Sequence, residues 1–93
     1  MFRMKKILVI DDEAWLREMI QMALRQRDYE VIEAENGAVG IEKARKELPD
    51  LILCDVNMGK MDGYAALSSL RNEAATATIP FILMTGLADS AGS

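Results

Sequence analysis

The chain has 93 residues, 51% of them hydrophobic, and a formal net charge of −4; this suits one small globular domain and argues against a nucleic-acid-binding surface, where lysine and arginine cluster. It contains one cysteine and no histidine, which excludes an intramolecular disulfide, a Ser-His-Asp triad and a histidine-based zinc site. No apolar run approaches the roughly 20 residues of a membrane span, so we expect a cytoplasmic protein with no membrane contact.

The first half of the chain predicts a strand, a helix and a second strand. The run ILVI at 7–10 is short and uniformly apolar, which is typical of a buried strand in a parallel sheet. Segment 13–27 then repeats apolar residues at the spacing of one helical face. That predicted face consists of Leu16, Met19, Ile20, Ala23 and Leu24. The segment YEVIEA at 29–34 alternates only weakly and carries charge, so we expect an edge strand there.

The second half predicts two helices, each followed by a buried strand. The helical pattern over 36–48 ends at Pro49, because a proline disfavours helical geometry in the residue before it. LILC at 51–54 is the third predicted strand, and its Cys54 is expected to be a core residue. A third helix, with Asp62 as its N-cap, then leads to the fourth strand, FILM at 81–84. Strands and helices that alternate with short connections indicate an α/β fold with a doubly wound parallel sheet.

Acidic residues follow two of the predicted buried strands. Asp11 and Asp12 come directly after the first, Asp55 follows the third, and Thr85 follows the fourth. In an open parallel sheet, ligands bind beyond the carboxyl ends of the strands where the winding direction reverses. If the first and third strands are neighbours there, the three aspartates converge and Thr85 closes the site.

Three carboxylates at close range repel one another unless their pKa values rise or a cation joins them. A site that offers oxygen ligands without histidine or thiol suits Mg²⁺ or Mn²⁺. Such an ion leaves positions for phosphoryl oxygens beside a carboxylate nucleophile. An alternative is that Asp11 or Asp12 simply caps the first helix, with Glu13 favoured by the helix dipole.

Three segments of the chain resemble the receiver domain of two-component response regulators. They are ILVIDDE (7–13), PDLILCDVNMGKMDG (49–63) and IPFILMTG (79–86), and the resemblance extends over residues 5–86. It implies a flavodoxin-like, doubly wound parallel sheet with strand order 2-1-3-4. It also implies a phosphoacceptor module that receives its phosphoryl group from a histidine kinase or phosphotransfer protein and signals by protein–protein contact.

The resemblance assigns a role to each candidate site residue. Asp55 would accept the phosphoryl group. Asp12 and Asp55 would bind Mg²⁺ directly, together with the backbone carbonyl of Asn57, and Asp11 would act through water. Thr85 would hydrogen-bond a phosphoryl oxygen and serve as the switch residue.

The sequence departs from the family pattern in two places. Gly59 stands where the family usually has a proline, and we expect it to loosen the loop. The family continues into a fifth strand and last helix, including a lysine that pairs with the phosphoryl group. We therefore expect residues 1–93 to be a single truncated receiver domain without them, and Lys60 to be a solvated loop residue. The fourth strand would then be an open edge, which favours a homodimer or a domain swap.

Two other functions are compatible with the same residues. One is a phosphorylation-independent interaction or assembly module in which the acidic site is idle. The other is a phosphohydrolase that uses aspartyl-phosphate chemistry, but such enzymes commonly need a second acid where this chain has Asn57. On the leading interpretation the chain is not an enzyme with a separate substrate; at most it catalyses its own phosphorylation.

Overall fold

A computed structural model of the protein describes residues 3–59 and 61–84. Strands and helices alternate along this part of the chain, as the sequence predicts. The elements are β1 (Lys6–Ile10), α1 (Ala14–Arg25), β2 (Glu30–Ala34), α2 (Gly37–Glu47), β3 (Leu51–Asp55), α3 (Gly63–Arg71) and β4 (Phe81–Met84). No helix in this described part is long and apolar enough to span a lipid bilayer.

The four strands form one parallel sheet in the order β2-β1-β3-β4, so the predicted fold class and strand order are confirmed. The winding direction reverses between β1 and β3, which are neighbours at the centre. Their register pairs Ile10, the last residue of β1, with Cys54, so Asp11 comes level with Asp55, the last residue of β3. Residues that follow these two strands are therefore brought together at one edge of the sheet.

Each face of the sheet carries its own hydrophobic cluster, because side chains alternate along every strand. The face under α2 and α3 holds the larger cluster, which includes the fully buried Leu8, Ile10 and Ile52. Burying side chains of this size contributes about 1.5–3 kcal/mol each. The face under α1 is centred on Ile7 and Val9 of β1. The central strand is thus covered on both sides, as its uniformly apolar sequence predicts.

Cys54 lies in the larger cluster and is completely buried. Burial raises the pKa of its thiol to about 12, and the negative charges of Asp55 and Asp11 act in the same direction. The thiol is therefore protonated at neutral pH, and Cys54 is the core residue that the sequence predicts.

Helix α1 packs through a narrower stripe than the sequence predicts. Ile20 and Leu24 contact the sheet-side cluster, but Met19, predicted on the same face, is 56% exposed. Neighbouring helix residues differ by about 100° around the axis, so a stripe centred on Ile20 and Leu24 turns Met19 toward solvent. Met22 and Trp15 are exposed as well.

The amino-terminal edge of the sheet, called the amino edge below, is closed by paired charges. Asp50 Oδ2 accepts the backbone N–H of Lys6 at 2.7 Å, and Asp50 Oδ1 also pairs with Arg3 at 3.3 Å. The Lys6 ammonium lies 3.2 Å from Glu47 Oε1. Asp50 and Glu47 therefore each have a positive or N–H partner at this edge.

Candidate functional site: an acidic cluster at the carboxyl edge

Three aspartates meet at the opposite edge of the sheet, the carboxyl edge. Asp11 and Asp12 follow β1 and Asp55 ends β3, and one carboxylate oxygen from each lies within 4.8 Å of the others. The parallel pairing of β1 with β3 produces this convergence. The structure thus brings together three of the residues that the sequence singles out.

Asp11 is the most deeply buried of the three, with 1% of its surface exposed. Its Oδ1 accepts the backbone N–H of Glu13 at 2.9 Å, whereas its buried Oδ2 has no hydrogen-bond partner among the described residues. Burial raises the pKa of Asp11; the Glu13 N–H opposes this shift, and repulsion from Asp55 and Asp12 adds to it. A buried acceptor that lacks a donor and faces other acids marks a position where a cation or bound water fits.

The turn between β1 and α1 does not use its aspartates as helix caps. The N-cap of α1 is Glu13, and its side chain makes no capping hydrogen bond. The alternative that Asp11 or Asp12 caps the helix is therefore wrong. Trp15 is an exposed neighbour of this turn, and its indole N–H donates to Glu13 Oε2 at 3.0 Å.

Asp55 is fixed at the end of β3 by backbone contacts on two sides. It is 6% exposed, and its Oδ1 accepts the N–H of Asn57 at 3.2 Å. The start of α3 lies directly against it, since a Cβ on Gly63 would be 2.6 Å from the Asp55 carbonyl oxygen. Asp62 caps that helix through its Oδ1, as predicted. The start of α3 is therefore packed directly against the end of β3.

An open recess of about 380 Å³ lies beside Asp12. Arg17, Asn36 and Gly59 are among the residues that line it. A Cβ on Gly59 would meet nothing within 4 Å, so this side of the loop leaves room beside the acids. Asn57 is exposed next to it.

Arg17 is a part of this edge that sequence reasoning missed. Its Nη1 donates to the backbone carbonyl of Asp11 at 2.5 Å, and its Nε donates to Glu33 Oε1 at 3.2 Å. Its side chain is only 17% exposed. An arginine on a helix is usually interpreted as a solvated surface residue. The one sequence signal for its contact with the aspartate turn was its position, one turn into the helix that follows the paired aspartates.

The other predicted site residues fall outside this description. Thr85 and Lys60 both lie outside the described residues. The switch role of Thr85 and the solvated position of Lys60 therefore stay predictions.

The donor set of the cluster fits a hard divalent cation. It offers carboxylate oxygens from three residues, and Mg²⁺ and Mn²⁺ prefer such ligands. The buried Oδ2 of Asp11, with no donor among the described residues, is consistent with this fit.

The strand order and the acidic cluster at the reversal point define a flavodoxin-like receiver fold. Comparison with known proteins agrees: the family model described as "Response regulator receiver domain" matches residues 7–92. The chain belongs to the response regulator receiver domain family, whose members are signalling modules rather than enzymes with a separate substrate.

Similar proteins extend this result. The "Chemotaxis protein CheY" of Bacillus subtilis is 43% identical over 75 residues, which are 80% of this chain and 62% of that protein. The "Probable transcriptional regulator ycf27" of Pyropia yezoensis is 42% identical over 85 residues, 91% of this chain. This chain spans only 34% of that protein's length. The matches support neither a phosphohydrolase nor an idle assembly module.

Solved structures show the same architecture. The Vibrio cholerae chemotaxis protein CheY4 superimposes with a TM-score of 0.84 at 29% identity, over 96% of this chain and 77% of that one. The N-terminal domain of a response regulator receiver protein from Methanoculleus marisnigri gives 0.84 at 31% identity, over 87% of this chain and 66% of that one.

Proposed function

We propose that this chain is a phosphoacceptor receiver module of a two-component system, in which Asp55 accepts a phosphoryl group. The observation that carries the proposal is the position of the Asp55 carboxylate, which lies at a strand end within 4.8 Å of Asp11 and Asp12 oxygens. Membership in the receiver family supports the same role. Residues 1–93 act as one receiver unit in this proposal.

The chain's contribution to the reaction is to hold a carboxylate nucleophile in place. An Asp55 oxygen attacks the phosphorus, so an O–P bond forms while the donor's P–N bond, or the P–O bond of an acyl phosphate, breaks. The leaving group takes the bonding electrons and, where its basicity requires it, a proton from solvent. The Asn57 N–H at 3.2 Å and the pairing of Asp55 with Met84 orient the carboxylate.

Three aspartates and one backbone carbonyl are proposed to hold the metal. Asp12, Asp55 and the carbonyl of Asn57 contact Mg²⁺ or Mn²⁺ directly, and Asp11 contributes through a water molecule. When bound, the divalent ion neutralises charge on the carboxylates and on the incoming phosphoryl oxygens. The chemistry of the clustered oxygen donors and the buried Oδ2 of Asp11 support this assignment.

The proposed donor is a histidine kinase or a phosphotransfer protein, which supplies the histidine that this chain lacks. After transfer, the Thr85 hydroxyl hydrogen-bonds a phosphoryl oxygen and couples phosphorylation to the surface. A phosphoryl group brings nearly two negative charges and three strong acceptors, so a nearby hydroxyl is drawn to it. The signal is passed on by protein–protein contact in the cytoplasm, without nucleic-acid or membrane contact by this module.

Self-association through β4 is a second part of the proposal. Within residues 3–59 and 61–84, β4 pairs only with β3, and Ile82 at this edge is 50% exposed. An unpaired strand edge with exposed apolar side chains favours pairing with another chain. We expect sedimentation to show a homodimer, formed by edge pairing or by a domain swap. A compact monomer at high concentration contradicts this part of the proposal.

Treatment with a small phosphodonor tests the central claim. We expect acetyl phosphate with Mg²⁺ to add one phosphoryl group, detected by mass, and beryllofluoride to change the fluorescence of Trp15. Asp55→Asn removes both signals. Asp62→Asn is the matched control, because it neutralises an exposed aspartate of the same loop while asparagine still caps α3. An unmodified wild-type protein, or modification that persists in Asp55→Asn, contradicts the proposal.

A further inference from the structure

We propose that Arg17 is a positioning residue of the acidic site, which fixes the peptide plane between Asp11 and Asp12 and so the direction of the Asp12 carboxylate. The inference deepens the proposed function, because the Asp12 carboxylate matters here as a metal ligand. The contacts that carry it belong to the metal-free protein and can be tested there separately.

The key contact is the hydrogen bond from Arg17 Nη1 to the Asp11 carbonyl oxygen, at 2.5 Å. That carbonyl belongs to the peptide group that joins Asp11 to Asp12, so its direction sets the position of the Asp12 backbone. Two further bonds hold the same turn: Asp11 N–H donates to the Ala34 carbonyl at 3.0 Å, and Glu13 N–H donates to Asp11 Oδ1 at 2.9 Å. All three bonds are made by or to Asp11, whereas Asp12 is exposed. The Asp12 side chain therefore takes its direction from the peptide that Arg17 holds.

Arg17 is itself held from the neighbouring strand. Its Nε donates to Glu33 Oε1 of β2 at 3.2 Å, and the Lys43 ammonium of α2 donates to the Glu33 carbonyl at 2.6 Å. The arginine side chain is 17% exposed, so little of it is free to rearrange in water. A continuous chain of contacts thus runs from α2 through β2 and Arg17 to the turn that carries the aspartates.

The geometry favours a positioning role over a purely electrostatic one. A positive charge beside the recess at Asp12 competes with a divalent cation, so on charge alone its removal would tighten metal binding. If Arg17 instead positions the Asp12 carboxylate, its removal should weaken metal binding. A planar guanidinium can donate in two directions at once, here to a carbonyl and a carboxylate, whereas a lysine ammonium is a point charge on a flexible stem.

Two substitutions separate these explanations. Arg17→Gln removes the charge and the two-way contact, and Arg17→Lys keeps the charge but loses the planar fork. We expect both to weaken Mn²⁺ binding about tenfold, the lower end of the range for outer contacts of metal ligands. Binding is measured with Mn²⁺ alone, by the loss of the free-ion electron paramagnetic resonance signal. Affinity that is unchanged or tighter in Arg17→Gln, or unchanged in Arg17→Lys, overturns the inference.

Arg71→Gln is the matched control. Arg71 also donates from a helix to backbone carbonyls, those of Ala77 and Ile79 at 2.8 and 2.7 Å, but it is the last residue of α3 and lies toward the amino edge. We expect this variant to lower the unfolding temperature while Mn²⁺ affinity stays at the wild-type value. A fall in affinity equal to that of the Arg17 variants would show a general loss of stability and would overturn the positioning role.

The exchange rate of the Glu13 amide proton gives a readout without metal. This N–H is protected by its bond to Asp11 Oδ1, so we expect faster exchange in both Arg17 variants and wild-type exchange in Arg71→Gln, all in excess chelator. Unchanged exchange in the Arg17 variants overturns the inference. If the wild-type protein binds no Mn²⁺, the proposed metal site fails, and the Glu13 exchange alone decides whether Arg17 holds the turn.

Discussion

The two edges of the sheet are built from the ends of the same strands, but their carboxylates have opposite surroundings. At the amino edge, Asp50 and Glu47 each have a positive or N–H partner within 3.3 Å. At the carboxyl edge, three aspartates face one another, and a buried oxygen of Asp11 has no donor among the described residues. Local violations of good packing and pairing are expected where function requires them. The contrast therefore separates an edge that stabilises the fold from the edge at which we propose that metal and phosphoryl group bind.

The edges also differ in how their loops are held. Ion pairs tie the chain together at the amino edge, whereas at the carboxyl edge the backbone of α3 approaches Asp55 so closely that only a glycine fits at position 63. Arg17 adds a positive contact to the backbone carbonyl of Asp11 rather than to a carboxylate of the cluster. At the carboxyl edge the backbone is thus closely packed at Gly63, even though the acidic side chains nearby repel one another.

The largest effect is expected from Gly63→Ala, which breaks the close approach at the carboxyl edge. The new Cβ would lie 2.6 Å from the Asp55 carbonyl and 2.7 Å from Leu83 Cδ2, and overpacking of this kind costs about 1–3 kcal/mol. We expect urea unfolding to show a loss of stability near the upper end of that range, and we expect phosphorylation of Asp55 to slow. Gly59→Ala is the control, since its Cβ meets nothing. Equal stability of the two variants would contradict the claim that the backbone is crowded at Gly63 and open at Gly59.

The next largest effect is expected from Asp50→Ala, which tests the amino edge. It removes the acceptor of the Lys6 N–H and the partner of Arg3, and a hydrogen bond to a charged group contributes about 1.5–3 kcal/mol. We expect a loss of about 2 kcal/mol in urea unfolding, with phosphorylation per folded molecule unchanged. A selective loss of phosphorylation would show that the two edges are coupled.

Asp11→Asn is expected to act in the opposite direction. Asparagine keeps an oxygen for the Glu13 N–H, removes one of three repelling charges and offers an N–H₂ to its acidic neighbours. In chelator we expect the variant to be more stable by about 1 kcal/mol, of the order of one hydrogen bond. Saturating Mg²⁺ should reverse the order, because an ion stabilises the folded state that binds it. If Asp11→Asn is less stable than wild type in chelator, repulsion between the aspartates does not distinguish the carboxyl edge from the amino edge.

The smallest effect is a pH dependence at the amino edge. The Lys6 N–H, followed by the Arg3 guanidinium, lowers the pKa of Asp50 below its ordinary 3.8. A lowered pKa gives stability that is present above pH 3.8 and is lost as the pH falls through the folded-state pKa. The unfolding-temperature difference between wild type and Asp50→Asn should therefore be constant near neutral pH and shrink below pH 3.8. A difference that grows on acidification would contradict this assignment.

Much of the fold was predictable because its strong signals are local. Short apolar runs gave the buried strands, and Asp62 marked the start of α3 through a contact within one turn. The end of α2 was equally local, since Leu48 takes a left-handed conformation directly before Pro49. The meeting of the aspartates followed from the level at which parallel strands end.

The parts that were not predicted depend on contacts between distant segments. The periodicity of α1 allowed more than one packing stripe, and only the sheet beneath it decides that Ile20 packs while Met19 is exposed. Arg17 reads as an ordinary helix-surface residue until β2 brings Glu33 beside it. The position of Glu13 as the N-cap residue of α1 was not predicted, because its side chain forms no capping hydrogen bond that a sequence pattern could indicate.

The protonated thiol of Cys54 has a practical consequence. It is the single cysteine of the chain and is enclosed in the core, so maleimide reagents, which are attacked by thiolates, should leave it untouched in the folded protein. A cysteine introduced at an exposed position such as Ser68 would then carry a fluorophore or spin label alone. Changes around the labelled position can thus be followed during phosphorylation without replacing any buried side chain.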